Sequence, residues 1–216
     1  LRSTVERWHE LTGKVLLEGY GLSETSPGVT TSPSYAKKIS ANVGLTIPNT
    51  EILIRYADGN EVEYGQPGEI CVKGHQVMQG YWQNEAATAE VIGEDGFFKT
   101  GDIGTMDEEG FLSITDRKKD MIIVSGFNVY PNEIEDVVCM HPGIIEAASI
   151  GVSDEKTGEA VKLFVVLGED QKLKKEEIID YCRKNLTAYK VPRQIEFMKE
   201  LPKTTVGKIL RRELRE

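Results

Sequence analysis

Apolar or amphipathic side chains at Leu1, Val5, Trp8 and Leu11 recur at helical spacing, which predicts a helix over residues 1–11 closed by Gly13. Val15-Leu16-Leu17 then predicts a short buried strand, and residues 28–40, rich in Ser, Thr and Pro, read as a loop. From residue 44 to residue 115 the punctuation becomes strand-like. Glu51-Ile52-Leu53-Ile54-Arg55-Tyr56 ends at Asp58-Gly59-Asn60, a hairpin signal. Gly65-Gln66-Pro67-Gly68 precedes the alternating run Glu69-Ile70-Cys71-Val72-Lys73-Gly74. Residues 86–92 predict one short helix, Gly96 to Asp102 a strand reaching a turn, and Phe111-Leu112-Ser113-Ile114-Thr115 a further strand. Many short strands and turns predict a small mixed or β-barrel-like unit.

The pattern then breaks. Asp116-Arg117-Lys118-Lys119-Asp120 puts five charges together, directly before the apolar Met121-Ile122-Ile123-Val124. Such a block is expected at a surface, since burying it needs full pairing. It reads as a polar joint between two packed units, or equally as a solvated turn before a strand. Beyond it, residues 121–124 predict a strand. Pro131 opens a helix to about residue 140, with Glu133, Glu135 and Asp136 in its early turns. Residues 144–152 and 161–167 predict two strands. Residues 174–186 form a helix with an apolar stripe at Ile178, Ile179, Cys182 and Leu186, and residues 194–198 a last strand. The expected fold class is therefore α+β. A short α/β piece (1–34) and a β-rich part (35–115) are followed by the joint at 116–121 and a compact α+β domain over 122–216.

A net charge of -9 argues against a general nucleic-acid surface, yet leaves room for a nucleotide held by a few local cations. Three widely spaced cysteines have neither zinc nor redox spacing, so free thiols in a reducing compartment are expected. No apolar run approaches the ~20 residues that span a bilayer. The chain starts at Leu1, inside a helical pattern, which reads as a piece of a longer protein.

Three stretches carry candidate chemistry. In Gly19-Tyr20-Gly21-Leu22-Ser23-Glu24-Thr25, glycines allow close backbone approach to a ligand and the Tyr20 face can stack on a base. Hydroxyls there can donate to phosphate, and a carboxylate can hold Mg²⁺. The same residues equally make an ordinary Gly-rich turn. Asp102, behind Thr100-Gly101, can accept two hydrogen bonds from a ribose diol, or cap its own turn. Gly207-Lys208 is no phosphate loop: Pro202 stands five positions before Gly207, and Ile209 stands where a hydroxyl is required. What remains is a lysine on a flexed loop before a basic helix, or a solvated surface lysine.

Together the stretches resemble the C-terminal part of the adenylate-forming enzymes, which include acyl-CoA synthetases, beetle luciferases and peptide-synthetase adenylation domains. The resemblance rests on Tyr20-Gly21-Leu22-Ser23-Glu24-Thr25, Gly68 to Gly74 with Gly80-Tyr81-Trp82, Thr100-Gly101-Asp102, Asp116 to Asp120, Ser125 to Pro131 and Pro202 to Lys208. Their order and reach over nearly the whole chain make the match specific, and within the superfamily it is greatest to bacterial long-chain fatty-acid–CoA ligases.

That resemblance implies ATP and a fatty acid giving an acyl-adenylate, from which the thiol of coenzyme A displaces AMP. It implies Tyr20 and Gly21 at the adenine, Ser23 at the α-phosphate (the family usually has Thr there) and Glu24 on Mg²⁺. It further implies Asp102 on the ribose hydroxyls with Arg117 assisting, and Lys119 as the hinge of a rotating C-terminal domain. Gly126 and Phe127 would face the pantetheine path, and Lys208 would neutralise charge during adenylation. Lys208, Ser23 and Glu24 are thus the expected catalytic residues. The family's phosphate-gripping loop and most of its acyl tunnel lie upstream of the tyrosine motif, so the chain alone is expected not to make acyl-CoA. A cytoplasmic enzyme is implied, whose approach to a membrane stays open. A ligase for aryl or medium-chain acids, a carrier-loading domain, and a non-catalytic nucleotide-binding or interaction module remain alternatives.

Overall fold

The computed structural model describes residues 2–35, 42–205 and 207–215. Leu1, residues 36–41, Val206 and Glu216 lie outside them. The chain divides into two units, Leu1–Lys118 and Lys119–Glu216.

In the first unit the helical spacing gives α1 (Arg2–Thr12). Val5 is buried, but Trp8 and Leu11 of the same stripe are exposed. The apolar run Val15-Leu16-Leu17 forms no strand, because no described segment supplies the ladder of hydrogen bonds that a strand requires. The strands start later, at β1 (Gly19–Gly21), β2 (Gly28–Thr31) and β3 (Leu45–Thr46), which form one antiparallel sheet. Gly28–Thr31 was expected as loop. Thr30 and Thr31 pair on both edges, and Val29 is fully buried. A second antiparallel sheet runs β4 (Thr50–Arg55), β5 (Gly68–Gly74), β6 (Phe98–Met106) and β7 (Leu112–Arg117), in that order. It is open and not a closed barrel. The short helix α2 (Glu85–Val91) starts where the Asn84 side chain caps the Ala87 N–H. Val29, Ile54, Ile70, Val72 and Leu112 form the core, with Tyr20 packed against it.

The second unit is built on β8 (Ile122–Val124), β9 (Phe127–Val129), α3 (Pro131–Cys139), β10 (Ile144–Asp154), β11 (Gly158–Leu167), α4 (Lys175–Asn185) and β12 (Gln194–Met198). β11 is the hub. It pairs antiparallel with β10 along its length, parallel with β12, and with β8 at Gly158. Strand alternation sorts its side chains. Val161, Leu163 and Val165 join Ile134, Val138, Ile178 and Cys182 beneath the helices. Phe164 and Val166 face the other way, where Leu201 and Leu214 of the tail cover them. The basic helix expected after Gly207 is a single 3₁₀ turn, Arg211–Leu214, whose buried Leu214 anchors it. No helix among the described residues is long and apolar enough to cross a membrane.

The charged block is only partly a surface feature. Arg117, Lys118 and Lys119 are exposed, but Asp116 and Asp120 at its ends are buried. Each carboxylate has a partner: Asp116 accepts the Arg117 N–H at 2.7 Å, and Asp120 pairs with Arg215 at 2.9 Å. Satisfied acceptors can leave water where bare charges cannot.

Cys71, Cys139 and Cys182 are free thiols, and burial pushes each up to about 11. A raised folded value stabilises the fold below the ordinary value of 9.0, and this contribution is lost as pH rises toward about 11. At mildly alkaline pH the native chain is expected to react with iodoacetamide at least about tenfold more slowly than the unfolded chain. Equal rates would show that the thiols are open to solvent.

Candidate active site

The first unit assembles Tyr20, Asp102 and Arg117 into one cluster, and a strand irregularity makes this happen. Between the pairs Glu69↔Ile103 and Cys71↔Lys99 the β5–β6 register shifts, so Ile70 faces Thr100, Gly101 and Asp102 together. β6 therefore bulges at Thr-Gly-Asp. Gly101 takes the left-handed φ of +71°, which an L side chain rarely adopts. The Thr100 hydroxyl replaces the missing ladder bonds: it donates to the Ile70 carbonyl at 2.9 Å and accepts the Asp102 N–H at 3.1 Å.

The carboxylate of Asp102 is buried, and both its oxygens are engaged. Oδ2 accepts the Tyr20 hydroxyl at 2.7 Å, and Oδ1 pairs with Arg117 Nε at 3.0 Å. Arg117 stands opposite Asp102 in the β6–β7 register, which sets this reach. Burial pushes the Tyr20 hydroxyl well above its ordinary range, against a lowering hydrogen bond from Thr100, and the Asp102 bond and charge raise it further. Tyr20 is thus a neutral donor at physiological pH. A carboxylate held from two directions keeps spare lone pairs, so it can still accept hydroxyl groups. It does not spend itself capping its own turn.

Ser23 and Glu24 lie on the 3₁₀ turn that follows β1. Thr25, fully buried, builds this turn. Its hydroxyl donates toward the carbonyls of Leu22 and Pro27, and it accepts the Leu22 N–H. Ser23 is left exposed. One Glu24 oxygen accepts the Tyr81 hydroxyl at 3.1 Å. Gly21 sits close against the turn that follows it. Its close approach is to the chain itself, since a Cβ there would lie 1.6 Å from the Pro27 carbonyl oxygen. No cluster of three or more metal-ligating side chains occurs among the described residues. One carboxylate suits Mg²⁺ all the same, because that ion keeps water and substrate phosphates as its other ligands.

The remaining candidates belong to the second unit. Lys119 is exposed at its first position. Ser125 and Gly126, at φ of +51° and +84°, join β8 to β9, with Val124 opposite Phe127. Two residues of positive φ form the tight hairpin whose twist matches its strands. β9 was not expected. Its three residues are too short to show alternation, and only the turn makes it a strand. Phe127 is 55% exposed and stacks on Tyr189 at 4.8 Å between ring centroids. Tyr189 carries no sequence signal that links it to the loop.

Lys208 is exposed on a loop whose backbone is fixed. Thr204 N–H donates to the Lys208 carbonyl at 2.8 Å, the Lys208 N–H donates to the Thr204 hydroxyl at 3.1 Å, and Lys203 bridges Ile209. Arg211 Nη2 donates to both carboxylate oxygens of Glu135 of α3, at 2.9 and 2.8 Å. Glu135 also accepts the Ser149 N–H of β10 at 2.7 Å. Glu135 was read as a dipole complement at the helix start, and its buried partner is visible only in three dimensions.

Two family models match the chain: AMP-binding enzyme over residues 2–82, and AMP-binding enzyme C-terminal domain over residues 133–208. A long-chain-fatty-acid–CoA ligase of Yersinia pestis is 58% identical over 215 residues, covering 100% of this chain and 38% of that protein. The ligase of the same description from Escherichia coli O6:H1 is 59% identical over 211 residues, covering 98% of this chain and 37% of that protein. Among solved structures, ATP-bound MatB from Rhodopseudomonas palustris superposes with a TM-score of 0.95 at 35% identity, covering 100% of this chain and 43% of that one. The chain therefore spans well under half the length of the relatives it matches.

Proposed function

Starting from the fact that this chain belongs to the AMP-binding enzyme family, we propose that it is the C-terminal part of a long-chain fatty-acid–CoA ligase. In the first step a fatty-acid carboxylate oxygen attacks the α-phosphorus of ATP and pyrophosphate leaves. In the second, the sulfur of coenzyme A attacks the acyl carbonyl carbon and AMP leaves.

The observation that carries this reading is the Tyr20–Asp102–Arg117 cluster. A buried carboxylate oriented by a phenol and a guanidinium, with lone pairs to spare, suits a ribose diol. The Tyr20 ring supplies the face for adenine. Ser23 is exposed to donate to the α-phosphate, and Glu24 would hold Mg²⁺, which supplies charge stabilisation for the departing pyrophosphate when bound. Lys208, on its stapled loop, would add a positive charge for adenylation and withdraw by rotation about Lys119 for thioester formation. The second unit's Ser125-Gly126 turn, with the Phe127–Tyr189 stack beside it, would line the path of pantetheine.

The test is to complete the chain with the missing portion of its Escherichia coli relative and to measure palmitate-dependent ATP–pyrophosphate exchange and palmitoyl-CoA formation. Palmitate-dependent exchange and palmitoyl-CoA formation are expected, whereas a protein that exchanges pyrophosphate with no carboxylate, or shows no exchange, overturns the reading. The 216-residue chain by itself is expected to form no acyl-CoA.

A milder change probes the cluster. Tyr20→Phe keeps the ring and removes one donor to Asp102. AMP affinity is expected to fall by roughly 1 kcal/mol, about fivefold, in a titration of the purified chain. An unchanged affinity would mean that the hydroxyl has no part in holding the carboxylate.

A further inference from the structure

The charged stretch at the unit boundary is held from both ends in a way that the proposed reaction does not by itself require. Upstream, two consecutive cations are tied to β5 and β6 of the first unit. Arg117 pairs with Asp102, and Lys118 Nζ pairs with Glu69 Oε2 at 2.7 Å. Glu69 is a bridge: its other oxygen accepts the N–H of Gly101, the residue before Asp102, at 3.3 Å. Downstream, Asp120 pairs with Arg215, in the last turn of the second unit, at 2.9 Å. All three acidic partners are mostly buried, with side-chain exposures of 5%, 12% and 10%, so their positions are set by packing. Lys119 stands between the two anchored ends. It is exposed and forms no ion pair with any described residue.

We infer that Glu69, with Lys118, and Asp120, with Arg215, are positioning residues that confine backbone rotation to Lys119. The inference rests on the proposed ligase reading for its catalytic meaning, but not for its structural content. A chain pivots where its dihedrals are least restrained. Each anchor removes freedom from one neighbour of Lys119, and the neutral isostere of either acid removes the charge while keeping the shape. Glu69 also links the pivot to the Thr-Gly-Asp bulge. Holding the Gly101 N–H and the Lys118 ammonium on one carboxylate keeps the ribose-binding turn and the last fixed residue before the pivot in register. A looser Glu69 would let the bend spread back toward Arg117, and so toward Asp102.

The decisive experiment is limited proteolysis of this chain with trypsin, its products identified by mass. Glu69→Gln and Arg215→Met both leave the bonds after Lys118 and Lys119 chemically unchanged. Each is expected to raise cleavage there about fivefold relative to every other site, the scale of one half-buried ion pair. Unchanged cleavage at these bonds, or a uniform rise at every site, overturns the inference.

The same variants in the completed ligase read the catalytic role. For Arg215→Met, overall acyl-CoA formation is expected to fall about fivefold, while pyrophosphate exchange and thioester formation from preformed adenylate each stay within about twofold. An equal fall of both half-reactions assigns the pairs to stability and overturns the positioning role. If the unaltered completed enzyme shows no exchange, the ligase reading fails, and the cleavage result still decides whether these pairs confine the bend.

Discussion

Lys208→Ala in the completed ligase is expected to slow adenylate formation about 10²–10³-fold, the cost of removing one preorganised donor from a transition state that gathers negative charge. Thioester formation from preformed acyl-adenylate is expected to keep its rate, since that step sends no new charge toward a pyrophosphate. The structure makes the substitution clean. The loop is held by backbone bonds and by the Thr204 hydroxyl, none of which involves the lysine side chain. An exposed lysine cut to alanine changes stability by no more than about 0.5 kcal/mol. The two half-reactions are measured separately, by pyrophosphate exchange and by thiol consumption. If both fall together, the lysine acts on folding or on a shared step, and its assignment to adenylation is wrong.

Glu135→Ala is expected to destabilise the second unit strongly. The residue is 5% exposed, and its carboxylate takes two bonds from Arg211 and one each from the Ser149 N–H and hydroxyl. Alanine leaves a mostly buried guanidinium without its counter-charge, which costs about 3–5 kcal/mol. For a unit of this size, that lowers the melting temperature by more than about 10 °C. Calorimetry of the purified chain measures it. Arg211→Met added to Glu135→Ala is expected to recover part of the loss, because the orphaned charge is then gone. A loss below about 1 kcal/mol for Glu135→Ala would show that water reaches the pair and screens it.

These two residues stand on different footings. Lys208 is legible from the sequence through its motif, which sets a cation on a loop just before a basic turn. Glu135 carries no such signal, since acidic residues in the first turns of a helix are usual. Its partner lies 76 positions away, and only the packing of the tail against α3 and β10 brings them together. Elements were legible to the same degree. Gly68–Gly74 and Pro131–Cys139 came through because each carries a period and a stop signal. β1, β2, β3 and β9 did not, being two to four residues long and so too short to show a period. Val15-Leu16-Leu17 misled in the other direction. Apolar composition marks a segment that can pair, and pairing needs a neighbour.

Read alone, the residue order established the mixed α+β class and the family to which the motifs belong. Both are local properties, written in periodicity, punctuation and short consecutive patterns. What it left open is how carboxylates are turned and satisfied. Asp102 meets Tyr20 and Arg117 because β6 bulges against Ile70, and Asp116 and Asp120 go inside because their acceptors are filled. Hydrogen bonds across 82 or 95 positions depend on strand register and packing, and no window of neighbouring residues encodes them.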